Sequence, residues 1–142
     1  MVDRSVLRPE GVWNPADAGF DHPQPFSQGV ISAPGRTVWV AGQVALDERG
    51  EVIGKGDPGA QTEATLENLQ RVLAAGGATL ADVMRLTVYL TDMTHLPDVQ
   101  VVRARYFPVD PPASSTIGIT SLVNPDLLVE IDAVAIIEGA PS

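Results

Sequence analysis

Apolar and polar positions along this 142-residue chain switch between two periods. Residues 27–32 and 37–41 are rich in β-branched side chains and flank Ala33-Pro34-Gly35-Arg36, a pattern that predicts a β-hairpin. A turn follows at 47–50, and 51–53 reads as a short third strand ended by Gly54, Gly56 and Gly59. Ala60, Ala64, Leu69, Val72 and Leu73 then recur near helical spacing, predicting a helix over 60–75. Asp57-Pro58 suits its start, because Asp accepts from free amides and proline has no N–H to waste, and Gly76-Gly77 suits its stop. The run at 83–90, interrupted only by Arg85, predicts a strand buried largely on both faces. A second helix over 97–107 carries Val99, Val102 and Tyr106 on one face and ends at Pro108, Pro111 and Pro112. Strands over 115–120 and 127–137, separated by a turn at Asn124-Pro125-Asp126, close the chain.

The predicted order is βββαβαββ, an α+β domain in which two helices cover one face of a mixed six-stranded sheet. Two helices cannot cover both faces, so the other face needs a partner, and self-association is the economical one. The domain should span 25–138, preceded by an extended arm over 1–24 anchored by Trp13 and followed by a short tail over 139–142. Trp39, within a strand, is expected in the core, and Trp13 is free to act as a lid or an interface anchor.

Composition narrows the chemistry. Nine basic residues against 18 acidic ones give a net charge of -9, and no stripe of Lys or Arg exists to release counterions from phosphate, so nucleic acid is not an expected partner. With no cysteine, thiolate catalysis and cysteine-rich metal sites are excluded, and His22 and His95 stand too far apart to suggest a metal site. No cofactor is implied. The first 20 residues carry scattered charges and no apolar run, so neither a signal peptide nor a membrane span is expected, and a cytoplasmic location follows.

Several segments nonetheless point to a family. Pro25-Phe26-Ser27-Gln28-Gly29, Gly42-Gln43, Leu66-Glu67-Asn68-Leu69, Thr87-Val88-Tyr89-Leu90-Thr91-Asp92-Met93, Pro112-Ala113 and Val129-Glu130-Ile131 resemble, in order and spacing, the RidA/YjgF family, also labelled endoribonuclease L-PSP and translation initiation inhibitor. The resemblance implies a chorismate-mutase-like fold of the Bacillus type and a homotrimer with ligand clefts between subunits. It also implies hydrolysis of reactive enamines and imines to keto acids and ammonia. In such proteins an arginine after the Pro-Ala pair grips the substrate carboxylate through two parallel hydrogen bonds, and a glutamate on the last strand positions or activates water.

Here Ser114 stands where the resemblance places that arginine, while Glu130 matches the glutamate. A hydroxyl cannot hold a carboxylate bidentately, and the lost charged pair is worth on the order of 3 kcal/mol. Glu130 is therefore the catalytic candidate, and Phe26, Gly42, Gln43, Gln100 and Ser114 are the candidate ligand-binding residues. Each has a plainer reading: packing for Phe26, a bulge for Gly42, a sheet-edge hydrogen bond for Gln43, a solvated helix position for Gln100. Neither histidine is matched to the cleft, so Ser114 and Ser115 have no base to make them nucleophiles. Arg103 and Arg105 read as solvated helix residues, Arg85 as an edge or interface ion pair, and Asn68 as a residue with a structural partner. The expected function is binding of a small organic ligand in intersubunit clefts, with 2-imino acid deaminase activity weak or absent. The alternatives are an imine or enamine hydrolase whose substrate needs no arginine clamp, and a nucleic-acid-acting protein, which the acidity disfavours.

Overall fold

A computed structural model describes residues 1–15 and 24–139. His22 and the last three positions of the predicted tail lie outside the described residues.

Strand β6 (Val129–Ile137) organises the molecule. Its neighbours are β3 (Arg36–Val44) and β4 (Val83–Leu90), both antiparallel to it, and β5 (Ala113–Gly118) runs parallel to β4 at the edge, giving the order β3-β6-β4-β5. Helices α1 (Pro58–Ala75) and α2 (Leu96–Tyr106) pack on one face. Val129, Ile131, Ala133, Ala135 and Ile137 of β6 and Leu86, Val88 and Leu90 of β4 meet Leu66, Leu69 and Leu73 of α1 and Val99 and Val102 of α2. Each of these Val, Leu and Ile side chains stabilises the fold by about 1.5–3 kcal/mol relative to exposure. The α+β class expected from the pattern, two helices on a mixed sheet, is the one observed.

The ends of α1 follow from its sequence. Asp57 Oδ1 accepts from the Ala60 amide at 3.0 Å, Pro58 occupies the first turn, and Gly77, at φ +82°, turns the chain away after Gly76. The turn before β6 closes in the same local way, Asn124 Oδ1 accepting from the Asp126 amide at 2.9 Å.

Three expectations about strands need correction. The 27–32 and 37–41 segments do not form a hairpin with each other. β2 (Gly29–Ser32) pairs antiparallel with β1 (Arg4–Leu7), a strand formed by the N-terminal arm, while β3 pairs with β6. The third predicted strand is only a bridge between Leu46 and Val52. Among the described residues the six strands are thus a two-stranded ribbon and a four-stranded sheet, joined by a parallel bridge between Ser27 and Ala113.

The strand over 83–90 is buried on one face rather than both. Arg85, Thr87 and Tyr89 look away from the helices, beside Glu130, Asp132, Val134 and Ile136 of β6. On this uncovered face Trp39 is 77% exposed, not in the core as expected. Arg85 sits on an inner strand rather than at an edge, and it donates to Ser115 Oγ at 2.8 Å.

Candidate functional site

The predicted site residues fall into two groups. The first gathers around Arg103, which is fully buried and not solvated as its sequence context suggested. Its Nη2 donates to Ser114 Oγ at 2.8 Å and to the Pro25 carbonyl at 3.3 Å, and its Nη1 donates to Gln100 Oε1 at 2.7 Å. Its Nε has no hydrogen-bond partner among the described residues. Burial pulls its pKa down to about 10, so it remains a cation at neutral pH, and no carboxylate among the described residues pairs with it. Phe26 joins this group through the backbone: Ser27 N and Oγ donate to the Pro112 and Pro111 carbonyls at 3.0 and 2.5 Å, docking the 25–27 segment against the start of β5. Trp13 of the arm lies on Phe26, ring centroids 6.2 Å apart, and Gln28 Nε2 donates to the Trp13 carbonyl at 2.7 Å.

The second group is Glu130 with Gly42 and Gln43. Glu130 projects from the uncovered sheet face across β3 at Gly42, where a Cβ would fall 2.6 Å from its Cδ. Gly42 lies at the register shift between Val40 and Gln43, so the bulge expected there is present, and the missing side chain makes room for the carboxyl group. Gln43 Nε2 donates to its own strand, at the Ala41 carbonyl, 3.1 Å away. Desolvation and then the Asp132 charge push the Glu130 pKa up. Beside it the Tyr89 hydroxyl donates to Asp132 Oδ2 at 3.0 Å, and that bond chiefly raises the tyrosine pKa. A carboxyl group with a raised pKa, next to a hydroxyl–carboxylate pair, can exchange a proton with a bound water. A groove of about 630 Å³ adjoins this group, lined by Gly42, Gln43, Glu67, Asn68 and Arg71 among others. Asn68 has the structural partners expected, donating to the Val44 and Leu46 carbonyls at 2.9 Å each.

Within one chain the two groups do not meet on a common surface. Ser114 pairs in register with Leu86, whose side chain enters the helix-covered core, and Glu130 pairs with Tyr89 on the opposite face. The residues that the sequence reading missed are Arg103, Tyr89 and Asp132. Arg103 was detectable, since it lies four residues after Val99 and hence on the buried stripe of α2. Tyr89 and Asp132 become partners only through the β4–β6 register. A separate cavity of about 350 Å³, lined by Arg4, Leu80, Tyr106, Phe107 and Asp110 among others, touches none of the six predicted site residues. Among the described residues, no cluster of His, Cys, Asp and Glu is arranged to hold a metal ion, and no helix is long and apolar enough to cross a membrane.

Two helices on one face of a mixed sheet, with a glycine making room for a strand-borne glutamate, define a chorismate-mutase-like α+β protein of the RidA/YjgF type. The family model described as Endoribonuclease L-PSP matches residues 19–137, and the chain belongs to that family. It is 39% identical to Protein DfrA of Myxococcus xanthus over 112 residues, which cover 79% of this chain and 85% of that one. Among solved structures it resembles YyfB of Yersinia pestis, of the conserved Rid protein family, at TM-score 0.81 and 39% identity, covering 94% of this chain and 98% of that one. It also resembles RidA of an Antarctic Psychrobacter, at TM-score 0.67 and 29% identity, covering 87% and 94%.

Proposed function

We propose that this protein binds a small organic ligand in clefts between the subunits of a homotrimer, with weak or no 2-imino acid deaminase activity. The observation that carries this reading is the state of Arg103. A cation does stand behind Ser114, but it is sealed inside the fold and its Nη groups are already engaged by Gln100, Pro25 and Ser114 itself. A bidentate clamp needs two parallel N–H groups facing the ligand, and the surface at this point offers one serine hydroxyl.

The intersubunit placement is supported by the separation of the two groups on opposite sheet faces, which lets one ligand touch both only if a second copy supplies one of them. Trimer formation is further supported by the uncovered face, where exposed Trp39 lies across from Val134 and diagonal to Ile136. A net charge of -9 supports a small-molecule partner over nucleic acid. A soluble, cytoplasmic protein fits the same features.

Glu130 favours a second, catalytic version of this reading. Hydrolysis of a C=N bond adds one water across it and releases ammonia and a carbonyl compound. Glu130 would take a proton from the attacking water and return it to the departing nitrogen. Its substrate would be an imine or enamine that needs no double-pronged carboxylate grip.

The test couples the purified protein to a threonine dehydratase and follows decay of 2-iminobutanoate. We expect decay at the solvent rate with the native chain and acceleration on Ser114→Arg. Strong acceleration by the native chain would overturn the weak-deaminase reading, and a monomeric mass in solution would overturn the assembly.

A further inference from the structure

We propose that Arg103 is a positioning residue that makes Ser114 a one-point recogniser of a ligand oxygen, a carbonyl or one oxygen of a carboxylate. This rests on the reading that Ser114 borders the ligand cleft. A serine hydroxyl has one proton to give and two lone pairs to receive with. Arg103 Nη2, 2.8 Å away, occupies the acceptor side of Ser114 Oγ. Among the described residues nothing receives the serine's own proton, so that proton is left for a group outside the chain.

The arrangement behind the serine is fixed on three sides. Gln100, one turn earlier on α2, holds Nη1, the Pro25 carbonyl takes the other side of Nη2, and packing of α2 excludes water from the guanidinium. A buried cation with no acidic partner among the described residues projects its field through little intervening solvent, and a donor whose oxygen accepts from a cation is polarised toward giving its proton. The charge is therefore delivered to the ligand through one hydroxyl rather than by the guanidinium itself. The chemistry that fits is a single acceptor oxygen with partial or full negative charge, as on a small 2-keto acid. Two parallel acceptors would leave one unpaired.

The competing account is that Arg103 merely ties α2 to the 25–27 segment and β5, with no effect on what position 114 presents. The native chain contains no cysteine, which allows a clean test. On Ser114→Cys, the pH dependence of alkylation by iodoacetamide reads both the access to position 114 and the field there. The expected midpoint lies at least one unit below the ~8.5 of a free thiol. It should return to or above that value when Arg103→Met is added. Gln100→Glu, which places a carboxylate against the guanidinium without deleting it, should raise the midpoint in the same direction should Arg103→Met fail to fold. Millimolar 2-oxobutanoate should slow the alkylation several-fold.

A midpoint at the ordinary thiol value, or a thiol that does not react in the folded protein, would overturn the proposal. A lowered midpoint with no protection by 2-oxobutanoate would overturn the ligand assignment. Trimer mass and slow iminobutanoate decay are measured on the native chain without reference to this thiol, so failure of the functional reading and failure of this one are separately visible.

Discussion

At Gly42 a single methyl group would land on the Glu130 carboxyl group, 2.6 Å from Cδ and 2.7 Å from Oε2. The obstacle is the end of a flexible side chain at an exposed position, so Gly42→Ala should alter unfolding free energy by no more than about 1 kcal/mol while displacing the carboxyl group and abolishing any Glu130-dependent reaction. Gly35 presents the opposite case: its Cβ would meet the backbone carbonyl of Ile137, and Gly35→Ala should cost about 1–3 kcal/mol in a denaturant titration. Glu130 itself makes a pH-dependent contribution. Its folded pKa is raised, so the contribution is fully present below the ordinary carboxyl value of 4.5 and is lost as pH rises through the folded pKa. Glu130→Gln should therefore raise Tm at neutral pH, by a few degrees at most because the group is partly exposed, and the gain should disappear in acid. A Tm gain that persists unchanged at low pH would contradict this assignment.

At the scale of elements, local chemistry was legible and pairing was not. The Asp57 cap, the Gly76-Gly77 stop and the strand Val83–Leu90 could be read directly, because each depends on residues within a few positions of one another. The partners of β2 and β3 could not. β2 is matched to a strand 25 positions earlier, and β3 to one nearly a hundred positions later; hydrophobic pattern carries no information about which edge a strand will find. Burial of Arg103 was misjudged for a related reason. Charge argues for solvent, yet position on the α2 stripe decided the outcome once Gln100, Pro25 and Ser114 met its N–H groups. Glu130 and Gly42 were named from sequence as site residues, but their mutual fit exists only through the β3–β6 register. Asn68 holds that end of β3 against α1 with two hydrogen bonds, so Asn68→Ala should destabilise by about 1–3 kcal/mol in thermal or denaturant unfolding.

Over the whole molecule, the distribution of exposed apolar surface sets the behaviour. One sheet face packs against helices, and the other presents Trp39 between β-branched neighbours. Placing a charge there, as in Trp39→Glu, should shift the mass in solution from that of the proposed trimer toward that of a monomer without unfolding the chain, measured by light scattering and circular dichroism. An unchanged trimer would show that assembly uses another surface. The two tryptophans also sit on unlike surfaces, Trp39 on the bare sheet and Trp13 against Phe26 on the arm. They are thus a built-in pair of optical reporters. On Trp39→Phe the remaining indole emission follows only the arm, on Trp13→Phe only the sheet face, and events at the two surfaces can be timed independently without attaching a dye.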